Sequence, residues 1–190
     1  MLAFSSMDFF ASPVAVSLAS HPRTPCRAIH GLDVLMSTAQ GDSLGLVFVL
    51  ECHLSALRIP APRPSRRADG LWRHTCFEVF AMAEKGPGYR ELNLSPSGEW
   101  GLYDFRGYRD GVKLETELAP EIAVRRTPSG LELDAQIDRG LLPQGRRLRL
   151  VLSAVLEDTD GVLSYWALQH PPGRPDFHHP DAFAVQLELS

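Results

Sequence analysis

The stretch LWRHTCFEVFAM, Leu71 to Met82, decides how the rest of the chain is read. As a β-strand it sorts its side chains onto two faces, because successive residues point to opposite sides of a sheet. Leu71, Arg73, Thr75, Phe77, Val79 and Ala81 share one face, and Trp72, His74, Cys76, Glu78, Phe80 and Met82 share the other. Phe77, Val79 and Ala81 read as core, which leaves Trp72, His74 and Glu78 on a half-polar surface. The following strand, Tyr89 to Ser95, puts Tyr89, Glu91, Asn93 and Ser95 on one face and Arg90, Leu92 and Leu94 on the other. Paired through a turn at Gly86 to Gly88, the two strands merge their polar faces into one surface.

Outward from this pair the same period of two recurs, and no stretch keeps the spacing of an amphipathic helix for more than a turn or two. Val14, Val16 and Leu18 form a first strand, and Ile29 to Met36 a second. A turn at Gly41, Asp42 and Ser43 leads into Leu44 to Cys52, an apolar run typical of a strand buried on both faces. Pro128, Ser129 and Gly130 join Ile122 to Thr127 with Leu131 to Ile137 as a hairpin. Leu148 to Leu156, Val162 to Leu168 and Phe183 to Leu189 complete the series. Roughly ten or more short strands separated by Gly and Pro turns define an all-β chain, best built as a two-layer antiparallel β-sandwich. The proline-rich RIPAPRPSRR, Arg58 to Arg67, excludes a central strand and reads as an exposed, solvated loop.

The chain's 190 residues are 44% hydrophobic. That is enough for one domain, residues 1–190, to bury a core without a disulfide or metal staple. No apolar run approaches the roughly 18 residues that cross a bilayer, so no membrane partner is expected. A net charge of -4 and a pI of about 6.0 provide no field for capturing nucleic acid. Three cysteines, Cys26, Cys52 and Cys76, have no C-x-x-C spacing and suggest neither a disulfide framework nor a zinc ribbon. The apolar stretch Met1 to Ala19 lacks a basic leader, carries Asp8 and is broken by Pro13. It therefore reads as part of the mature domain, with Met7 as an alternative start, and the expected location is cytoplasmic.

All three tryptophans and all four tyrosines fall in a few segments. Besides Trp72 and Tyr89 these are WGLYDFRGYR, with Trp100, Tyr103, Phe105, Tyr108 and Arg109, and SYWALQHPPGRPDFHH, with Tyr165, Trp166, His170, Asp176 and His178. Each ring alone suits a sandwich core. Their clustering with Glu78, Glu91, Asn93 and Arg109 suits a ligand rich in hydroxyls, whose apolar face rests on rings and whose edges meet polar side chains.

LWRHTCFEVF, YRELNLSPSGEWGLYDFRGYR and SYWALQHPPGRPDFHH, taken in order, resemble the DOMON-like proteins, bacterial relatives of the family 9 carbohydrate-binding modules (CBM9-like). The resemblance runs over roughly Leu71 to His179. It implies a β-sandwich whose better-known relatives bind sugars or haem, and it brings no settled activity for the stand-alone proteins. It also implies a sugar platform centred on Trp72 and Trp166. A methionine and histidine haem pair has no matching motif among the four methionines, so no cofactor is expected.

Sharper chemistry finds less support. His74, Cys76 and Glu78 lie two apart on one strand, about 6.5 to 7 Å from neighbour to neighbour, too far for a nucleophile and its base. His170, Asp176, His178 and His179 match no compact zinc signature, and a rigid loop held by His170 and Asp176 is the simpler reading. Glu78 and Glu91 could form a glycosidase pair if separated by roughly 5 to 9.5 Å. Asn93, Leu94 and Ser95 spell a glycosylation sequon that Pro96 follows, and it carries no weight here.

The expectation is thus a binder of a small polar ligand, most simply a carbohydrate, with no catalytic or metal residues assigned. The face would be built from Trp72, Arg73, Glu78, Tyr89, Glu91 and Asn93, extended by Trp100, Tyr103, Arg109, Trp166, His170 and His178. The alternatives are a hydrolase acting on a glycoside or ester through Glu78 and Glu91 or a metal on His170 and His178, and a scaffold that docks another protein. Oligomeric state is not legible.

Overall fold

The structure, a computed structural model, describes residues 13–38 and 43–189. The stretch before Pro13, with Asp8 and Met7, lies outside the described residues, as do Gly41 and Asp42 of the expected turn. Among the described residues the strands are β1 (Val14–Ser17), β2 (Ala19–Ser20), β3 (Ile29–Thr38), β4 (Leu44–Cys52), β5 (Cys76–Ala83), β6 (Tyr89–Leu94) and β7 (Trp100–Gly107). They continue as β8 (Asp110–Lys113), β9 (Glu121–Thr127), β10 (Gly130–Ile137), β11 (Arg147–Glu157), β12 (Leu163–Ala167) and β13 (Val185–Glu188).

These strands form two antiparallel sheets, one in the order β1-β3-β4-β10-β9 and the larger in the order β2-β12-β11-β5-β6-β7-β8. β13 pairs with the first half of the long β11, where Leu150 faces Val185, and β12 pairs with the second half. The sandwich is held by a core between the sheets, where Phe48, Leu50, Leu131 and Leu133 of one sheet meet Phe77, Val79, Leu92, Leu94 and Leu152 of the other. The Phe48 and Phe77 rings cross this gap at 4.9 Å between centroids. Each of these fully buried side chains contributes ~1.5–3 kcal/mol relative to exposure. β4 departs from the expectation of burial on both faces: Leu44, Leu46, Phe48 and Leu50 point inward, while Val47 and Val49 are only half covered and Glu51 is exposed.

The central strand of the larger sheet is β5, and it is buried on both faces. Phe77, Val79 and Ala81 look into the inter-sheet core, whereas Phe80 and Met82 join a second apolar cluster with Tyr89, Val155, Phe177 and Phe183. That second cluster exists because the segment after β12, PPGRPDFHHP (171–180), folds back as a strap over the outer face of the larger sheet. Phe177 packs against Phe80 at 6.4 Å, and Phe183 meets Tyr89 at 5.5 Å.

β5 begins at Cys76, not at Leu71. Gly70, with φ of +71°, takes a left-handed turn, and Leu71–Arg73 form a single 3-10 turn. The strand is entered at Thr75, whose hydroxyl donates to the Arg58 carbonyl at 2.7 Å and accepts the Glu157 N–H at 3.1 Å. The strand alternation of Leu71 to Met82 therefore holds only from Cys76 onward. The Arg58–Arg67 loop is largely exposed, as expected, yet its arginines are paired: Arg58 with Glu157 at 3.0 Å, Arg66 with Glu99 at 2.8 Å and Arg67 with Glu115 at 2.7 Å. These contacts stitch the loop to the end of β11, the start of β7 and the segment after β8.

Candidate ligand-binding cleft

Between the strap and the outer face of the larger sheet lies a cleft of about 970 Å³. Its floor is made by β5, β6 and β11, which contribute Glu78, Phe80, Glu91 and Val155. β7 supplies Tyr103 and Phe105, the β7–β8 turn supplies Tyr108 and Arg109, and β12 supplies Tyr165. Trp72 closes one side from its 3-10 turn, and Asp176, Phe177 and His178 close the other from the strap.

Strand register brings the two acids together. Glu78 pairs with Asn93 and Phe80 with Glu91 across β5 and β6, so the two glutamates sit on a diagonal of the same face. Both are buried, at 2% and 6% exposure. Burial, followed by the charge of Glu91, pushes the Glu78 carboxyl well above the ordinary carboxylate range. Burial likewise raises Glu91, to about 7, against the opposing pull of the Asn93 hydrogen bond and Arg109. Asn93 is fully buried below the floor, where its Nδ2 donates to Glu91 Oε1 at 2.7 Å and its Oδ1 accepts from the Cys76 thiol at 3.7 Å.

The wall is a network rather than separate side chains. Tyr89 stacks on Phe105 with 4.7 Å between centroids and 6° between planes. Its hydroxyl accepts the Arg109 N–H at 3.1 Å and lies 2.9 Å from His178 Nδ1. His178 Nε2 faces Glu91 Oε2 at 3.8 Å. Burial, then the nearby charge of Arg109, depresses His178 to about 4, so the ring is neutral at pH 7. Arg109 adopts φ of +56° and pairs with Asp176 at 2.8 Å. Tyr108 donates to the same carboxylate at 2.6 Å, and the His178 N–H donates to it at 3.1 Å. Asp176 thereby ties the hairpin tip to the strap. On the opposite side Trp72 meets Tyr103 edge-on at 5.5 Å, and the Tyr103 hydroxyl donates to Asp69 at 3.1 Å.

Of the residues expected on the ligand face, Trp72, Glu78, Glu91, Tyr103, Arg109 and His178 line the cleft. Six others do not. Trp166 points into the inter-sheet core, because it pairs with Ala154 on the core-facing side of β11, and its Nε1 donates to Ser164 at 3.1 Å. Trp100 is also core and is capped by the Arg67 guanidinium at 5.0 Å. Arg73 is exposed on the 3-10 turn, whereas Tyr89 backs the wall behind His178 and Arg109 and Asn93 is buried beside Glu91. His170 holds the Ala19 carbonyl through Nε2 at 2.8 Å and meets the His21 ring edge-on, which anchors the start of the strap. Among the described residues no group of three or more His, Cys, Asp or Glu side chains is placed to hold a metal.

Phe105, Tyr108, Tyr165 and Asp176, which the sequence places in the aromatic clusters but not on the expected face, also line the cleft, together with Phe177 and prolines of the strap, which the sequence does not single out. Tyr165 could have been found from parity in SYWA once Trp166 was assigned to the core. The strap's path over the sheet had no local signal.

An all-β sandwich with an aromatic and acidic cleft on the outer face of its larger sheet is the class of architecture these features define. No protein-family model matches the sequence, and no curated protein matches it. Among solved structures, the chain is similar to a candidate carbohydrate-binding protein from Bacteroides uniformis, with a TM-score of 0.66 at 13% identity over 97% of this chain and 87% of that one. It is also similar to a family 9 carbohydrate-binding module from Caldicellulosiruptor kristjanssonii in complex with glucose, with a TM-score of 0.56 at 10% identity over 99% and 92% of the two chains. The chain therefore has a CBM9-like β-sandwich fold.

Proposed function

We propose that this protein binds a carbohydrate in the cleft between the strap and the larger sheet. The observation that carries the reading is the ring of aromatic side chains, Trp72, Tyr103, Phe105, Tyr108 and Tyr165, around two adjacent buried carboxyls, Glu78 and Glu91. Rings offer flat apolar surface to the C–H face of a sugar, and carboxyls at the floor exchange hydrogen bonds with its hydroxyls. The volume of about 970 Å³ fits a ligand of one to a few sugar units. The two similar structures, one a candidate carbohydrate-binding protein and the other a module in complex with glucose, support the same reading.

In this assignment Trp72 and Tyr103 form the stacking side, Glu78 and Glu91 bind hydroxyls, Asn93 positions Glu91, and Tyr89 positions His178. Arg109 and His178 set the opposite wall. Calorimetric titration with glucose, cellobiose, xylose and galactose, alongside Trp72→Ala, tests the proposal. Saturable heat with at least one sugar, weakened about tenfold or more in the variant, is expected, since stacking on one ring is worth on the order of 1 kcal/mol or more. Absence of heat from every sugar, or undiminished binding by the variant, overturns it.

A further inference from the structure

We propose that the cleft prefers a sugar bearing a protonated amine, an amino sugar whose ammonium group sits against Glu78 and Glu91; this inference rests on the carbohydrate reading above. Glu78 is 98% buried by the complement of its 2% exposure, yet it lines the cleft, and among the described residues no cationic side chain forms an ion pair with it. Its near neighbours are an uncharged thiol, Cys76, the hydroxyl residue Ser153 across the ladder to β11, and a second acid, Glu91. Two carboxyls on one floor with no cation between them are costly to ionise, because each charge is desolvated and the two repel.

The basic groups of the cleft do not repair this. Arg109 is held at the rim by Asp176, half exposed, and its charge is matched there. Arg174 is exposed on the strap, where solvent and salt screen it. Among the described residues His178 is the histidine paired with Glu91, and it is neutral at pH 7. The floor therefore lacks one positive charge that a ligand can supply. Tyr103, Phe105 and Trp72 line the same cleft, and an ammonium seated over the face of such a ring is attracted to it. A uronic acid would instead bring a like charge to the acids, and a neutral sugar would leave the pair in its protonated form.

Supplying that charge favours the ionised carboxyls, so amine binding is linked to proton release from the Glu78 and Glu91 pair. The groups packed around the pair are Cys76 on β5, Tyr89 on β6, Tyr103 on β7, whose hydroxyl burial keeps protonated, Arg109 on the β7–β8 turn and Asp176 and His178 on the strap. Arg109 and Asp176 hold their charges, and Tyr89 and Cys76 stay protonated, because burial raises both groups.

Titration of the full chain at pH 7 with glucosamine, glucose, N-acetylglucosamine, glucuronate and cyclohexylammonium, each in phosphate and in HEPES buffer, provides the test. Glucosamine is expected to bind at least tenfold tighter than glucose or N-acetylglucosamine, with a binding heat that changes between the buffers because a proton is released. In Glu78→Gln, which keeps shape and removes charge, the ratio of glucosamine to glucose affinity should fall to within about threefold. Glucose binding with no preference for glucosamine, or tighter binding of glucuronate, overturns this inference and leaves the carbohydrate reading standing. Binding of cyclohexylammonium but of no sugar overturns the carbohydrate reading and the amino-sugar assignment with it.

Discussion

The hydroxyl of Tyr89 lies 2.9 Å from Nδ1 of His178, so a residue at the start of β6 holds the strap that closes the cleft. The same oxygen accepts the backbone N–H of Arg109 at 3.1 Å. One phenol therefore fixes the two parts of this wall, the hairpin tip and the strap, relative to the floor. Tyr89→Phe keeps the stacking on Phe105 and deletes both hydrogen bonds. A stability loss of ~1 kcal/mol is expected by urea denaturation, because the half-buried His178 ring and the Arg109 N–H each lose a partner. Sugar affinity should fall with it, as the strap loses its register.

The three tryptophans should behave as two kinds. Trp72 is 39% exposed and touches mainly Tyr103, whereas Trp166 and Trp100 are buried in the inter-sheet core. Trp72→Ala should change stability by no more than ~1 kcal/mol, while Trp166→Ala should cost ~3–5 kcal/mol. Thermal denaturation of the two variants separates these outcomes. In addition, iodide should quench the Trp72 emission of the wild type far more than the rest.

Glu91 gives the protein a pH dependence of known sign. Unfolded, its carboxyl loses the proton near 4.5; folded, burial keeps the proton up to about 7. Between those values the native state binds more protons, so stability contributed by this group falls as pH rises through that window. His178 acts in the opposite sense, since its folded value of about 4 lies below the ordinary 6.5 and the unfolded chain takes the extra proton. Glu91→Gln removes only the first effect. The variant should match the wild type near pH 4 and exceed it at pH 8 by on the order of 2–3 kcal/mol, as read from urea midpoints across pH.

The hairpin from β9 to β10 depends on one glycine. Gly130 has φ of +156°, and a Cβ there would lie 1.9 Å from the Leu50 carbonyl oxygen on β4. Gly130→Ala must push β10 away from β4 and should cost at least ~2 kcal/mol. Ser129→Ala, one residue earlier in the exposed turn, should change the melting temperature by no more than a degree or two.

Much of this arrangement was legible before any coordinates. The face assignment of Phe77, Val79, Ala81, Leu92 and Leu94 to the core, and of Glu78, Glu91 and Asn93 to the opposite side, holds in the structure, because side-chain alternation is imposed by the backbone itself. The turn at Pro128 and Ser129 falls where expected, since it depends on a few adjacent residues. The indole at position 72 reaches the cleft by a route the strand reading did not contain, from a 3-10 turn set by Gly70. Trp166, which the resemblance places on a sugar platform, instead faces the inter-sheet core, because its pairing with Ala154 turns it inward and leaves Tyr165 to the cleft.

The amino-acid sequence by itself determined the all-β class, the antiparallel pairing of β5 with β6 and the side of the sheet on which both acids stand, for these follow from local alternation and turn chemistry. Only the tertiary structure decided that this side is a cleft. The strap from Pro171 to Pro180 must fold back across the sheet, and its seat is chosen by Phe177 packing on Phe80, His178 meeting Tyr89 and Asp176 meeting Arg109. Those contacts join residues far apart along the chain, and such pairings depend on how whole layers pack, which no local period encodes.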